Sequence, residues 1–155
     1  MSKEKENLVI KDNVVIERIR KSDGKVLDRE TFHNLVVNSG KVRIAKLLGN
    51  VDSATYFKAI AIGLGSSADT VSATDVALVD EVARETATAV YKSDYKCKFS
   101  TTFSFASGEA YSIKEVGLFD SVVESGSVML DRLICTEKSV DSDVDLKVTI
   151  TITVN

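Results

Sequence analysis

The sequence predicts a mainly β protein: an antiparallel β-sandwich or open barrel of about 7–9 strands with one short α-helix. Two segments carry most of this prediction. Apolar and polar residues alternate over residues 97–105 and again over residues 146–154. Such alternation is typical of strands that turn one face toward a core and the other toward water. Most of the remaining chain consists of short apolar segments separated by turn residues, a spacing that favours antiparallel sheets.

Length and composition favour one globular domain. The chain has 155 residues, of which 44% are hydrophobic and 28% charged, with a net charge of -3. These fractions are ordinary for a globular protein, and a domain of this length buries roughly 70% of the surface that its unfolded chain would expose. Residues 1–7 are mostly charged or polar and predict a flexible N-terminal arm. Residues 8–155 predict a single β-rich domain.

The first predicted element is a β-hairpin. Residues 14–20 are rich in β-branched side chains and predict the outgoing strand. Asp23-Gly24 is a strong turn signal, and the return strand is expected over residues 25–32.

One helix is predicted at about residues 39–49. Ile44, Leu47 and Leu48 share one helical face, and Gly49 provides a stop signal. A helix of this length is unstable alone, so we expect it to pack against the sheet or a neighbouring chain.

Four glycines are predicted to have structural roles in turns. A buried strand over residues 57–63 ends in Gly63-Leu64-Gly65, and two glycines there permit a sharp turn and close backbone approach. Gly24 belongs to the hairpin turn. Gly117 lies in the apolar segment 111–119.

Three charged residues are candidates for a structural ion pair: Arg84, Glu115 and Arg132. Each lies in or beside a predicted strand, where a charge either faces solvent or is paired. The sequence leaves both alternatives open. If Glu115 meets one of the arginines in the core, truncating one partner is expected to cost about 3–5 kcal/mol.

No residue pattern predicts catalysis. His33 is the only histidine, so a catalytic triad cannot be argued. The segment Gly63-Leu64-Gly65 lacks the third glycine and the lysine of phosphate-binding loops. We therefore expect no enzyme, no catalytic residue and no cofactor.

Metal binding has little support in the sequence. The two cysteines, Cys97 and Cys135, are far apart and form no metal-binding pattern. Asp141, Asp143 and Asp145 alternate like the start of a calcium loop but lack its later glycine and glutamate. A solvated turn is the default expectation for them, and cation binding there is left open.

The charge pattern also bears on partners. Basic and acidic residues are mixed along the chain without a basic block, so nucleic-acid binding is not expected. There is no apolar run long enough to cross a membrane, and the N-terminus lacks the apolar stretch of a signal peptide. Synthesis in a cytoplasm is expected.

A series of motifs gives the sequence a family resemblance. In chain order they lie at residues 33–40, 57–65, 78–84, 113–119 and 128–132. They resemble an "N-x-V-x-x-x-G" lead into a helix, an "xIAIGxG" strand, an "L-x-x-E-x-x-R" segment, an "I-x-E-x-G-L-F" strand and an "L-x-x-R" strand. A similar series occurs in small structural proteins of tailed phages and prophages, of the tail-fibre, baseplate or head-decoration type.

The resemblance implies a β-rich fold and a non-enzymatic virion protein made in the host cytoplasm. It implies assembly as a homo-oligomer, such as a trimer, with other virion proteins in the tail fibre, baseplate or neck. Capsid decoration is one alternative. A receptor- or carbohydrate-binding β-sandwich is another, although the four tyrosines, Tyr56, Tyr91, Tyr95 and Tyr111, form no stripe.

Overall fold

The structure is a computed structural model that describes residues 7–67 and 69–155. The predicted N-terminal arm, residues 1–7, lies outside the described residues except for Asn7. Within the described ranges the chain forms ten strands, all in one antiparallel open sheet, and one short helix. The elements are β1 (Ile10–Arg20), β2 (Val26–Phe32), β3 (Leu35–Val36), α1 (Asn38–Gly49), β4 (Ala59–Gly63), β5 (Glu81–Thr86), β6 (Thr88–Lys92), β7 (Lys96–Phe103), β8 (Ala110–Phe119), β9 (Met129–Asp141) and β10 (Val144–Val154).

The predicted fold class is confirmed: the protein is mainly β and antiparallel, with one short helix in the described chain. The structure has ten strands, compared with the predicted 7–9. The number is higher because the two-residue β3 counts as a strand and because segment 81–92 is divided into β5 and β6. The helix begins at Asn38, one residue before the predicted start, and ends at Gly49.

The sheet consists of two halves that enclose one core. The first half has the strand order β2-β1-β10-β7-β6, and the second has the order β3-β9-β8-β4-β5. A single ladder pair, Asp141 with Val144 at the β9–β10 hairpin, joins them. Buried side chains from both halves, such as Val148 and Ile60, belong to the same apolar cluster. The two halves therefore face each other across this cluster.

On one side, a continuous segment belongs to both halves. Strand β5 pairs with β4 in the second half, and β6 pairs with β7 in the first. Ala87, between them, is buried, and its N–H donates to the carbonyl of Lys58 at 2.7 Å. Residues 81–92 thus form the edge of both halves.

On the other side, side chains bridge β2 and β9. Glu30 of β2 accepts hydrogen bonds from the Thr136 hydroxyl at 2.7 Å and from the Lys138 ammonium. Arg18 of β1 donates from Nη1 to the carbonyl of Ser139 at 3.1 Å. These contacts tie the halves together where no backbone ladder runs between β2 and β9.

Helix α1 packs on β9. A Cβ on Gly40 would lie 2.6 Å from the Cα of Leu130, so the helix backbone approaches the strand backbone directly. Ile44 and Leu47 pack against the main core. Leu48, on the same predicted face, is instead 84% exposed.

The outer face of the second half is buried in part, around β4 and the adjoining ends of β8 and β9. The segment between β4 and β5, of which residues 64–67 and 69–80 are described, is here called the covering loop. Leu78 of this loop packs against Ala61 and Phe119 in a second, smaller apolar cluster. The covering loop brings its acidic side chains to the outer face of β8 and β9.

Candidate functional site

Arg132 is the centre of a buried ion-pair cluster. Its side chain lies on β9, and it is almost fully shielded from solvent. Nη1 donates to Asp75 at 2.9 Å and Nη2 donates to Asp69, both in the covering loop. Nη2 also lies 3.7 Å from Glu115 of β8. The guanidinium therefore fastens the covering loop to the sheet.

Glu115 fastens the end of the same loop. Its carboxylate accepts the N–H of Val79 at 2.6 Å and that of Asp80 at 3.4 Å. Burial raises the pKa of Glu115, an effect larger than the opposing influence of these N–H groups and of Arg132. The pKa of Arg132 is nevertheless raised, because Asp69 and Asp75 outweigh the cost of burying the guanidinium. Asp69 and Asp75 are thus the main partners of Arg132.

Arg84 lies in a different contact network. It pairs with Glu81 at 2.7 Å and donates from Nη1 to the Ser121 carbonyl and the Ser127 hydroxyl, both at 2.9 Å. Its guanidinium carbon stands 3.9 Å from the ring centroid of Phe119, a cation–π distance. The sequence left open which arginine would pair with Glu115. In the structure Arg132 lies near Glu115, and Arg84 pairs with Glu81 instead.

The sequence-selected glycines have two kinds of role. Gly24 and Gly65 adopt φ of 71° and 61°, a region that side chains disfavour. Gly63 ends β4, where a Cβ would lie 2.5 Å from the carbonyl oxygen of Asp80. The assignment of Gly117 to a turn is wrong. It lies inside β8, where a Cβ would lie 2.8 Å from the Phe119 ring.

A pair of buried acidic residues, here called the carboxyl pair, was not found from the sequence. Asp131 of β9 is fully buried, and Asp12 of β1 is 7% exposed. Asp131 Oδ1 accepts the N–H of Leu118 at 3.2 Å, and Asp12 Oδ1 accepts the N–H of Asn34 at 2.7 Å. Burial raises the pKa of Asp131 well above its usual range, and the adjacent Asp12 carboxyl raises it further.

A cavity of about 590 Å³ opens beside Asp12, one member of the carboxyl pair. His33 lies at its wall, with Nδ1 3.2 Å from the backbone oxygen of Asp12. Lys11 and Lys41 also contribute to the lining. Asp12 and Asn34 are among its lining residues, and Asp131 is not.

The aspartates near the C-terminus form a turn. Asp141 Oδ1 accepts the N–H of Asp143 at 2.9 Å in the β9–β10 hairpin, and Asp145 follows in β10. Across residues 7–67 and 69–155, no group of three or more histidine, cysteine, aspartate or glutamate side chains is arranged to hold a metal ion.

An apolar groove of about 290 Å³ runs beside helix α1. We call it the helix-side groove. Leu48 at its rim is 84% exposed and Val154 is 40% exposed. Its lining residues are Ile10, Ile44, Leu47, Leu48, Phe57, Cys97, Phe99, Leu130, Ile152 and Val154.

Comparisons with known proteins give no family for this chain. No family model matches it, and neither the curated proteins nor the solved structures contain a match. In the described part of the chain, no helix has the length and apolar character needed to cross a membrane.

Proposed function

We propose that this protein is a non-enzymatic structural component of a tailed-phage virion. It would be made in the host cytoplasm and assemble as a homo-oligomer, such as a trimer, in the tail fibre, baseplate or neck. The motif series at residues 33–40, 57–65 and 113–119 supports this proposal. The ion-pair cluster adds support, because its charged groups fasten a loop to the sheet and face one another rather than an open pocket.

The observation that carries the proposal is the helix-side groove. Its lining is almost entirely apolar, and Leu48 projects from its rim into solvent. An apolar groove with an exposed leucine at its rim is a surface that a second subunit can cover. Burying an exposed leucine against a second subunit contributes about 1.5–3 kcal/mol. A homo-oligomer that covers the groove would recover this free energy in each copy.

Light scattering across a concentration series tests the proposal. We expect the purified protein to have the mass of a stable oligomer, and Leu48→Glu to weaken association about tenfold or more, because it places a charge in the apolar contact. Val123→Glu is the matched control, since Val123 is also exposed but lies outside the groove. A wild-type protein that stays monomeric at every concentration would contradict homo-oligomeric assembly.

A second candidate function is supported by two tyrosines. Tyr91 and Tyr95 are 71% and 73% exposed and lie on the β6–β7 hairpin. Exposed aromatic rings are a requirement of the carbohydrate-binding alternative. A titration with host-cell polysaccharides would favour that function if binding is saturable and is lost in both Tyr91→Ala and Tyr95→Ala. Capsid decoration has no specific observation of this kind.

A further inference from the structure

The carboxyl pair joins the two halves of the sheet across the core. Asp12 is in phase with the buried Val14 on β1 of the first half. Asp131 lies on β9 of the second half and pairs with the buried Leu118 of β8. The two carboxyls lie within hydrogen-bonding reach of each other. They therefore form a direct polar contact between β1 and β9.

Backbone N–H groups occupy only one oxygen of each carboxyl. Oδ1 of Asp12 accepts the N–H of Asn34, and Oδ1 of Asp131 accepts that of Leu118. The other oxygen of each, Oδ2, is shielded from solvent, and no group of the described residues donates to it in regular hydrogen-bond geometry. Buried polar atoms nearly always have a partner. The available partner is the other carboxyl, and a hydrogen bond between two carboxyls requires a proton on one of them.

Basic side chains surround the pair without neutralising it. Among the described residues, no lysine, arginine or histidine forms an ion pair with either carboxyl. Lys11 and Lys41 line the neighbouring cavity, and His33 contacts the backbone oxygen of Asp12. Arg132, the next residue on β9, is held by acidic groups of the covering loop. Two adjacent buried carboxylates would therefore repel each other without compensation, which is strongly unfavourable.

The sheet positions opposite the two carboxyls are apolar. Ile152 of β10 lies opposite Asp12. Leu118 of β8 and Val36 of β3 lie opposite Asp131. Apolar surroundings favour the neutral form of a carboxyl.

We propose that Asp12 and Asp131 share one proton in the folded protein and form a pH-sensitive link between the two halves of the sheet. With the proton present, the O–H of one carboxyl donates to Oδ2 of the other, and the pair carries a single negative charge. As pH rises, the proton leaves to water, and two carboxylates then repel each other across the core. The link is closed at low pH and weakened at high pH. This inference does not depend on the proposed virion function.

The direction of the pH dependence follows from proton binding. Burial and the adjacent Asp12 carboxyl raise the pKa of Asp131. The folded state therefore holds a proton that the unfolded chain releases at about pH 4. The stability contributed by the link is fully present below the unfolded pKa and is lost as pH rises through the folded pKa.

Asp131→Asn tests the link, because asparagine has the shape of the protonated carboxyl and carries no charge. Its Oδ1 can accept the Leu118 N–H, and its Nδ2 can donate to Asp12 at every pH. In thermal melts of the full chain from about pH 5 to about pH 9, the Tm of Asp131→Asn should rise relative to wild type by at least about 3 °C. Asp143→Asn is the matched control, since it removes one aspartate charge from the exposed β9–β10 hairpin. Its Tm relative to wild type should stay constant over this range.

A constant Tm difference between Asp131→Asn and wild type would overturn the proposal, because no proton would then be gained on folding. A second measurement uses the wild-type protein and so holds even if Asp131→Asn does not fold. Carbon-13 NMR of the aspartate carboxyls should show one that titrates well above the ordinary value of about 3.9. Ordinary titration of every aspartate would also overturn the proposal.

Discussion

The Glu115 carboxylate lies 3.7 Å from the Arg132 guanidinium, and both side chains are buried beneath the covering loop. At this distance the two groups attract each other without forming a hydrogen bond. Their closer partners are different: Arg132 binds Asp69 and Asp75, and Glu115 binds backbone N–H groups. The pair is therefore the centre of a network in which two strands hold one loop.

Removing the guanidinium should release the covering loop. We expect Arg132→Met to lower the free energy of unfolding by about 3–5 kcal/mol, because it leaves Glu115 and Asp69 buried without a cation. Urea denaturation followed by circular dichroism would measure the loss. Arg20→Met is the control. Arg20 pairs with Asp23 at the surface, and its loss should change the free energy by no more than about 0.5 kcal/mol. Equal effects of the two variants would contradict the assigned role of Arg132.

Replacing each of two helix glycines by alanine should affect protein stability differently. Alanine is favoured over glycine in helices by about 1 kcal/mol. At Gly49 a Cβ would make an ordinary contact with Val51 at 3.5 Å, so Gly49→Ala should be neutral or stabilising. At Gly40 it would collide with the Leu130 backbone, so Gly40→Ala should destabilise by about 1–3 kcal/mol. Thermal melts of both variants test this expectation, and a stabilising Gly40→Ala would show that α1 lies farther from β9.

The bridge between β2 and β9 should depend on pH. Hydrogen bonds from Lys138 and Thr136 lower the pKa of Glu30. The folded state therefore favours the ionised carboxylate, and the resulting stability is present above the unfolded pKa and lost as pH falls through the folded pKa. The stability difference between wild type and Glu30→Gln should shrink as pH falls from about 6 to about 3. Glu109→Gln, at an exposed position, is the control. A difference that grows on acidification would contradict the bridge.

The two thiols should differ in reactivity. Burial raises the pKa of Cys135 to about 11, so only about one in a thousand of these thiols is ionised at pH 8. Burial also raises the pKa of Cys97, but that residue is only half-buried. Cys97 lines the helix-side groove, so the test uses the Leu48→Glu variant, in which the groove is expected to be uncovered. In that variant a disulfide reagent at pH 8 should label Cys97 first and Cys135 only on unfolding. In Cys97→Ser the early phase should vanish, and its persistence would show that Cys135 is accessible.

Periodic strands were predictable from the sequence, and short or irregular ones were not. The alternation in β7 and β10 is visible because each strand turns one face toward the core over many residues. Strand β3 has two residues, too few to show any period. Gly117 was assigned to a turn, whereas it lies inside β8 and its role depends on the Phe119 ring that the fold brings close.

The contacts of the site were less predictable. Asp69 and Asp75 lie in a loop far along the chain from Arg132, and no local pattern links them. One feature of the sequence does indicate that Asp12 of the carboxyl pair is buried. Asp12 is in phase with Val14 and Ile16, the buried face of β1. Starting the predicted strand at residue 14 excluded this aspartate from the inward-facing series.

Strand β1 pairs with β10 along its whole length, although the rest of the domain lies between them in the chain. On a ribosome, β1 and β2 would emerge early as a hairpin with Val14 and Ile16 uncovered. Their partner strand would follow only after β3 through β9 had been synthesised. Such distant pairing favours folding in milliseconds to seconds rather than microseconds. We expect the nascent hairpin to need shielding from other chains until β10 is released.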